Sequence, residues 1–128
     1  MAGEKIKVMV VDDHRLVREG LANLLRLQPE IEVCGEASDG DEAVSKARAL
    51  KPDVILMDIS MPGMSGIAAT RLIKKDLPEA KVIMLTMMDQ EGYVYESVKA
   101  GATGYLLKNV SLEELVDSIK EVYRGGAT

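Results

Sequence analysis

One ten-residue stretch decides the fold of this 128-residue chain, and it reads Val54-Ile55-Leu56-Met57-Asp58-Ile59-Ser60-Met61-Pro62-Gly63. Its four leading apolar residues predict a strand that is buried on both faces, as strands of parallel sheets are. The strand delivers one carboxylate, Asp58, to its carboxyl end. The Pro-Gly pair that follows predicts a turn, so the backbone cannot carry Asp58 back into the core.

Three further apolar runs carry polar groups at their carboxyl ends in the same way. These pairs are residues 6–11 with Asp12 and Asp13, 82–85 with Thr86, and 105–107 with Lys108. Another strand is predicted at about residues 31–37, where the alternation of apolar and polar residues is typical of a half-exposed edge. Amphipathic segments lie between the runs, and five strands that alternate with five helices predict a parallel sheet with helices on both faces.

The helices are predicted from apolar residues at helical spacing. The predicted inward-facing residues are Leu16, Val17, Leu21, Leu24 and Leu25; Ala43, Val44, Ala47 and Leu50; Ile67, Ala68, Leu72 and Ile73; and Leu112, Leu115, Val116, Ile119 and Val122. A shorter helix is predicted from Gln90 to Ala100, with Gly101 as its stop. Ser111 and Glu114 have the spacing of a capping box at the start of the last helix.

Composition narrows the classes of protein that this chain can be. Hydrophobic residues make up 47% and charged residues 29%, and the net charge of -5 argues against a general nucleic-acid-binding surface. The single cysteine, Cys34, lies in an apolar run and is expected to be a buried structural thiol. Since no apolar run approaches the roughly 18 residues of a membrane span, we expect a cytoplasmic protein.

The polar strand ends are expected to form one site, because right-handed crossovers place the carboxyl ends of all parallel strands on one edge. Ligands of such sheets bind at that edge. The alternative is that these residues are solvated loop residues or helix N-caps, which would explain Asp13 or Ser60 taken alone. It does not explain Lys108, which does not begin a helix, or three carboxylates at one edge. A shared site of Asp12, Asp13, Asp58, Thr86 and Lys108 is the better interpretation.

The residue types indicate a chemistry. Three clustered carboxylates repel each other and therefore favour a bound cation, and oxygen ligands suit Mg²⁺. Lys108 and the Thr86 hydroxyl could contact phosphoryl oxygens. A carboxylate could then attack phosphorus and form an aspartyl-phosphate, and Asp58 on the central strand is the best candidate.

At this point the chain resembles the receiver domain of a two-component response regulator over essentially its whole length, and it is most similar to the NarL/FixJ subfamily. The residues that carry the resemblance are Val11-Asp12-Asp13-His14, Leu56 to Gly66, Leu85-Thr86, and Gly101-Ala102-Thr103-Gly104-Tyr105-Leu106-Leu107-Lys108. The resemblance implies an α/β fold, the flavodoxin-like (βα)5 receiver fold. Its doubly wound, five-stranded parallel sheet has the strand order 2-1-3-4-5.

The resemblance also implies roles for the site residues and for a cofactor, Mg²⁺, for which Mn²⁺ can substitute. The implied roles are phosphoacceptor for Asp58, acidic metal ligands for Asp12 and Asp13, a metal-binding backbone carbonyl for Ser60, switch residues for Thr86 and Tyr105, and phosphate contact for Lys108. Two departures from the family pattern are the long side chain of Met87 after the switch threonine and Asn109, rather than proline, after the lysine.

The implied partners follow from the same resemblance. A sensor histidine kinase would supply the phosphoryl group, and phosphorylation would promote a homodimer. DNA would be contacted only through a C-terminal helix-turn-helix domain that this sequence lacks, so we expect a receiver domain over residues 1–124 and the start of a linker over 125–128. Such a domain is a regulatory phosphoacceptor that assists its own phosphorylation and dephosphorylation, not an enzyme, and it has no membrane partner.

Two other functions fit these residues less well. A phosphatase with an aspartyl nucleophile usually has a second aspartate two residues on, where this chain has Ser60. A flavodoxin-like electron carrier would share the fold, but it needs a hydroxyl-rich phosphate loop after the first strand and aromatic rings against the flavin. This chain has Asp12 and Asp13 there and contains neither Trp nor Phe.

Overall fold

The structure, a computed structural model, describes residues 4–87 and 91–125. Strands and helices alternate along this part of the chain as β1 (Ile6–Val11), α1 (Arg15–Arg26), β2 (Ile31–Ala37), α2 (Gly40–Leu50), β3 (Val54–Asp58), α3 (Gly66–Asp76), β4 (Lys81–Thr86), α4 (Glu91–Ala100), β5 (Gly104–Leu107) and α5 (Leu112–Tyr123). The strands are parallel and form one sheet in the order β2-β1-β3-β4-β5. The fold class and strand order expected from the sequence are confirmed.

The central position of β3 explains its composition. All five of its residues are buried, because β1 and β4 flank it and helices cover both faces of the sheet. β2 lies at the edge and is only partly buried, as predicted. The pairing of β1 with β2 slips by one residue between Val8 and Met9, where Cys34 is the extra residue of β2. Cys34 was expected to be buried but is only half-buried, because it lies in an edge strand; burial nevertheless raises the pKa of its thiol.

Alternate strand residues face opposite sides of the sheet and build two cores. α2, α3 and α4 cover one side and pack on strand residues such as Met9, Ile55, Met57 and Met84. α1 and α5 cover the other side and pack on residues such as Val8, Val10, Leu56 and Ile83. Met9, Met57 and Met84 are completely buried, so these flexible side chains fill the core.

The predicted inward faces of α1 and α3 need correction. On α1 the side chains of Leu16, Val17 and Leu24 are 86%, 46% and 46% exposed, and the residues that pack inward are Ala22 and Leu25. On α3, Leu72 is 40% exposed, whereas Ala69 and Thr70 are buried. In both helices a small residue, Ala22 or Ala69, is completely buried. The rotation of each helix about its axis is therefore set by close approach and not by the largest apolar side chains.

The helix ends match the sequence signals. Ser65 caps α3 by accepting a hydrogen bond from the Ala68 N–H, and Ser111 and Glu114 form the predicted capping box at α5. Gly101, with φ at 105°, follows α4. The predicted start of that helix at Gln90 lies outside the described residues. Among the described residues, no helix is both long enough and apolar enough to cross a membrane.

Candidate functional site

The polar residues at the strand ends meet at one edge of the sheet, as expected. β1 runs directly into Asp12, and its neighbour β3 ends in Asp58, so these two carboxylates lie side by side. β4 ends in Thr86, and Lys108 follows β5. The Lys108 N–H donates to the Thr86 carbonyl at 2.8 Å, which extends the β4–β5 ladder by one step and holds Lys108 at the same edge.

Asp12, Asp13 and Asp58 form a compact group that we call the acidic cluster. Asp12 and Asp58 are only 3% and 4% exposed. One oxygen from each of the three carboxylates, together with a ring nitrogen of His14, lies in a group whose members are all within 4.8 Å of one another. Carboxylates held this close in a poorly solvated site need positive charge beside them.

Lys108 supplies one positive charge to two of the carboxylates. Its Nζ lies 2.8 Å from Asp12 Oδ2 and 3.2 Å from Asp58 Oδ1. Burial lowers the pKa of Lys108, but the hydrogen bond to Asp12 and the charges of Asp58 and Asp12 outweigh it and raise the pKa above its ordinary value. Lys108 therefore stays charged at neutral pH and ties β5 to the ends of β1 and β3.

The single ammonium group does not balance the cluster. Burial and the charge of Asp12 raise the pKa of Asp58 to about 6, although Lys108 offsets part of this effect. Asp58 is thus the carboxylate that gains most from an additional cation. Its place at the end of the most buried strand is the cause, because the helices around β3 keep water away.

Two buried carboxylate oxygens lack partners. Within the described residues, Asp13 Oδ1 and Asp58 Oδ2 are buried and accept no hydrogen bond. Buried polar atoms in folded proteins are nearly always bonded, so such atoms mark a place where a ligand or ion belongs. Hard oxygen donors grouped within a few ångströms fit a small divalent cation.

The β1–α1 turn that carries the acidic pair is fastened from α1. The His14 N–H donates to Asp12 Oδ1 at 2.8 Å, and Arg18 Nη1 donates to the Asp12 main-chain carbonyl at 2.9 Å. Arg18 also pairs with Glu36 of β2 at 3.3 Å, and its side chain is only 14% exposed. These contacts fix the direction in which Asp12 and Asp13 leave the sheet.

The loop after β3 also packs tightly against the end of that strand. The Gly66 N–H donates to the Ile59 carbonyl at 2.8 Å, and a Cβ at position 66 would lie 2.0 Å from the Asp58 carbonyl oxygen. Only glycine fits there, and this close approach closes the loop over the end of β3. The predicted turn is present, with Gly63 at φ 76°. Ser60 lies exposed within this loop, and its role as a carbonyl ligand stays a prediction.

Thr86 and Tyr105 occupy neighbouring strands on the same side of the sheet. Thr86 is 4% exposed, and Tyr105 is half-buried against the core under α2, α3 and α4. Tyr105 pairs in register with Met84, two residues before Thr86, so the two side chains lie diagonally on one face. Met87 is 77% exposed, and its effect on the lifetime of a phosphoryl group stays a prediction.

Sequence reasoning missed two residues of the site. A histidine directly before a predicted helix is ordinarily a surface residue, and the His14 ring is indeed 66% exposed, but its Nδ1 lies 3.2 Å from Asp12 Oδ1. Residue spacing places Arg18 on the polar face of α1, whereas its side chain is only 14% exposed and contacts the Asp12 carbonyl and Glu36. The position of His14 directly after the acidic pair could have indicated its place in the site. No sequence pattern could have indicated the contact of Arg18, because that contact depends on the rotation of α1.

Comparison with known proteins agrees with this geometry. Residues 8–120 match the family model described as the response regulator receiver domain. Over 127 residues the chain is 47% identical to the uncharacterized transcriptional regulatory protein YxjL of Bacillus subtilis, covering 99% of this chain and 58% of that protein. It is 48% identical over 120 residues to the response regulator protein VraR of Staphylococcus aureus, covering 94% and 57%.

Solved structures show the same fold. The signal receiver domain of the response regulator NarL from Mycobacterium tuberculosis superimposes with a TM-score of 0.90 at 37% identity, covering 95% of this chain and 98% of that one. The chain spans less than three fifths of the length of the two curated relatives, at 58% and 57%. The expected resemblance to the NarL type is confirmed, and the chain belongs to the receiver domain family of the two-component response regulators.

Proposed function

We propose that this receiver domain takes a phosphoryl group onto Asp58 from the phosphohistidine of a sensor histidine kinase. One oxygen of Asp58 would attack phosphorus, the P–N bond would break, and the released imidazole would take up a proton from solvent. One observation carries the proposal. Asp58 Oδ2 is buried without a hydrogen-bond donor among the described residues, while Oδ1 lies 3.2 Å from the Lys108 ammonium. An available lone pair beside a fixed cation suits a nucleophile that receives a charged group.

The acidic cluster supports a role for Mg²⁺, with Mn²⁺ as a substitute. Asp12, Asp13 and Asp58 would hold the ion, with the Ser60 carbonyl completing the protein ligands. When bound, the ion neutralises charge on the carboxylates and on the phosphoryl oxygens. Lys108 holds Asp12 and Asp58 in position beforehand and would contact the phosphoryl group afterwards.

The second half of the proposal is a conformational switch. The phosphoryl group would draw the Thr86 hydroxyl inward, and Tyr105 would move into the space that this opens. α4 is suited to rearrangement because it contains Gly92 and because the buried Ser97 hydroxyl has no hydrogen-bond partner among residues 4–87 and 91–125. A differential contact energy of a few kcal/mol, as is typical, is enough to change which state dominates.

The output would be a homodimer. Residues 1–124 would act as the receiver and 125–128 as the start of a linker to a C-terminal helix-turn-helix domain, which would bind paired DNA half-sites. The name of the relative YxjL, a transcriptional regulatory protein, supports an output on DNA. The domain would be a regulatory phosphoacceptor that assists its own phosphorylation and dephosphorylation, and a kinase and DNA as partners would place it in the cytoplasm.

The phosphoacceptor is tested by intact-mass measurement after incubation with acetyl phosphate and Mg²⁺. We expect one phosphoryl adduct in the wild type, none in Asp58→Asn, and none in the wild type when EDTA removes the metal. Asp53→Asn, which changes a carboxylate at the opposite end of the sheet, is the matched control and should keep the adduct. An adduct of equal yield in Asp58→Asn would refute the assignment.

The switch is tested with a beryllofluoride mimic of the phosphoryl group. Amide exchange should change across residues 86–110, and sedimentation should show a dimer that the protein without the mimic does not form at the same concentration. In Thr86→Ala, the mimic should still bind but the change in exchange across β5 should be lost. Unchanged exchange in the wild type would rule out the switch, whereas changed exchange without a dimer would rule out the dimer alone.

A further inference from the structure

We propose that His14 adds a nitrogen ligand to the acidic cluster and so makes it a site for divalent transition-metal ions such as Mn²⁺ and Co²⁺ as well as for Mg²⁺. The inference rests on the proposed function, because it concerns the ion that the same carboxylates would hold. It differs from that function in giving His14 a role that depends on which ion is bound.

The position of the ring nitrogen is the first observation. His14 Nδ1 lies 3.2 Å from Asp12 Oδ1 and 3.4 Å from Asp13 Oδ1. Adjacent ligands on an octahedral ion with bonds of about 2.1 Å are about 3.0 Å apart, and opposite ligands are about 4.2 Å apart. The ligand atoms of His14 and the three carboxylates all lie within 4.8 Å of one another, so small side-chain shifts would bring them to the spacing of such a shell.

The unpartnered carboxylate is the second, independent observation. The Asp58 side chain is 6% exposed, and within the described residues its Oδ2 accepts no hydrogen bond. Asp13 Oδ1, which lies 3.4 Å from His14 Nδ1, is likewise buried and accepts no hydrogen bond in that part of the chain. Lys108 contacts Asp12 Oδ2 and Asp58 Oδ1, so it supplies no partner to Asp58 Oδ2 or Asp13 Oδ1.

The His14 ring is also available to act as a ligand. His14 is the N-cap residue of α1, yet its side chain makes no capping hydrogen bond to any residue that the structure describes. Its main-chain N–H is instead bound to Asp12 Oδ1 at 2.8 Å, which holds the residue beside the acidic pair. Because the ring is 66% exposed, it can exchange a contact with Asp12 for a contact with an ion at little loss of packing.

Mg²⁺ and the transition-metal ions differ in whether they prefer oxygen or nitrogen ligands. Mg²⁺ binds oxygen and keeps several of its waters, so His14 would contribute nothing to its affinity. Affinity for a site with a nitrogen ligand rises along the first-row transition metals from Mn²⁺ to Co²⁺, so an imidazole should strengthen Co²⁺ binding more than Mn²⁺ binding. The chain would therefore hold Mn²⁺ or Co²⁺ with one more protein ligand than Mg²⁺, and the difference would come from His14 alone.

The test compares ion affinities in untagged protein that carries Cys34→Ser, so that no thiol competes. Calorimetric titrations with Mg²⁺ and Co²⁺ are made on this background and on two variants of it. His14→Gln removes the nitrogen ligand, and we expect it to weaken Co²⁺ binding about tenfold or more while Mg²⁺ binding changes less than about twofold. Arg15→Gln removes an exposed charge next in sequence but no ligand atom, so it should change both affinities by the same factor.

A spectroscopic measurement identifies the ligand directly. Pulsed paramagnetic resonance of bound Mn²⁺ should show coupling to an imidazole nitrogen, and His14, the only histidine in the chain, is its only possible source. Loss of that coupling in His14→Gln, with the Mn²⁺ still bound, supports the proposal. Absence of the coupling in the parent protein overturns it and leaves the ring as an ion-pair partner of the carboxylates. Mg²⁺-dependent phosphorylation of Asp58 is measured separately, so failure of the proposed function would be recognised by itself.

Discussion

The polar groups at the two ends of the sheet differ in how completely the chain supplies them with hydrogen-bond and ion-pair partners. At the amino end, Asp53 precedes β3 and its Oδ2 accepts a hydrogen bond from the Lys7 N–H at 2.8 Å. The Lys7 ammonium donates to the Leu50 carbonyl at 3.0 Å. The Lys74 ammonium nearby also donates hydrogen bonds to main-chain carbonyl groups. Its Nζ lies 2.7 Å from the Pro78 carbonyl oxygen and 2.8 Å from a second carbonyl oxygen. Each of these groups is satisfied by the chain itself.

At the carboxyl end the chain leaves its polar groups short of partners. Asp12 and Asp58 share one ammonium group, and Asp13 and Asp58 each keep a buried oxygen without a donor among the described residues. The same strands thus carry satisfied charges at one end and unsatisfied charges at the other. The first arrangement stabilises the fold, and the second lowers stability in exchange for a site that an ion or phosphoryl group can complete.

The sharpest way to break this contrast is to remove one carboxylate from each end. Asp13→Ala should reduce Mg²⁺-dependent phosphorylation of Asp58 at least a hundredfold, on the order of the loss of one ionic ligand. It should also stabilise the metal-free protein, because it relieves repulsion. Asp53→Ala should leave phosphorylation within about twofold and destabilise the fold by about 1–2 kcal/mol, since the Lys7 N–H loses its acceptor. Intact-mass kinetics and urea unfolding measure the two effects, and a matching phosphorylation loss in both variants would contradict the contrast.

The two half-buried lysines give a second comparison. Lys108→Met leaves Asp12 and Asp58 together without a cation, and we expect a loss of roughly 2–4 kcal/mol at pH 8 in metal-free protein. At pH 5 the loss should be smaller, because a carboxyl group of the pair can take up a proton. Lys74→Met removes hydrogen bonds to carbonyl groups that do not titrate, so its loss of about 1–2 kcal/mol should be equal at both pH values. Chemical unfolding at the two pH values checks the prediction, which fails if both variants lose stability equally at pH 5 and pH 8.

The pH dependence of the metal-free protein should reveal Asp58. Its pKa is raised to about 6 by burial and by Asp12, so the folded state binds a proton more tightly than the unfolded chain does. The stabilising contribution is complete below about pH 4 and is lost as the pH rises through about 6. We expect this group to remove roughly 1–2 kcal/mol of unfolding free energy between pH 4 and pH 7.

Other carboxylates, such as Glu42, have lowered pKa values and contribute with the opposite sign, so the difference between variants isolates the effect. Asp58→Asn should lack this decline, and the gap between the two proteins should widen with pH. Saturating Mg²⁺ should close most of that gap by raising the stability of the wild type. Parallel stability curves for the wild type and Asp58→Asn in EDTA would show that Asp58 titrates normally.

The smallest expected effect concerns the turn that directs the acidic pair. Arg18→Gln loses the bond to the Asp12 carbonyl, and Mg²⁺ affinity should fall about three- to tenfold, as for other residues that orient metal ligands. Arg26→Gln removes the second arginine on Glu36 without touching Asp12, so it should leave Mg²⁺ affinity unchanged. Calorimetric titration with Mg²⁺ compares the two variants. Equal Mg²⁺ affinities in Arg18→Gln and Arg26→Gln would mean that the turn holds its shape without Arg18.

The strands and their polar ends were predictable because continuous apolar runs bounded by Asp, Thr or Lys have few other structural solutions. The meeting of Asp12, Asp58 and Lys108 followed from the geometry of parallel sheets alone. Which side chains of α1 and α3 face the core could not be predicted, because this depends on the rotation of each helix about its axis. Ala22 and Ala69 are completely buried in α1 and α3, and the same helix rotations expose Leu16 and Leu72 and leave the Arg18 side chain only 14% exposed. Neither the position of the His14 ring nor the stronger bond of Lys108 to Asp12 than to Asp58 has a signature in residue spacing.

The bond between Lys108 and Asp12 joins residues 96 positions apart. Contacts between such distant parts of a chain require closure of a long loop, and they form late in folding. A chain emerging from the ribosome thus exposes all three aspartates before the lysine that organises two of them has been made. The site becomes competent only when the last strand is in place, so an unfinished or truncated copy would carry the carboxylates but could not take part in signalling.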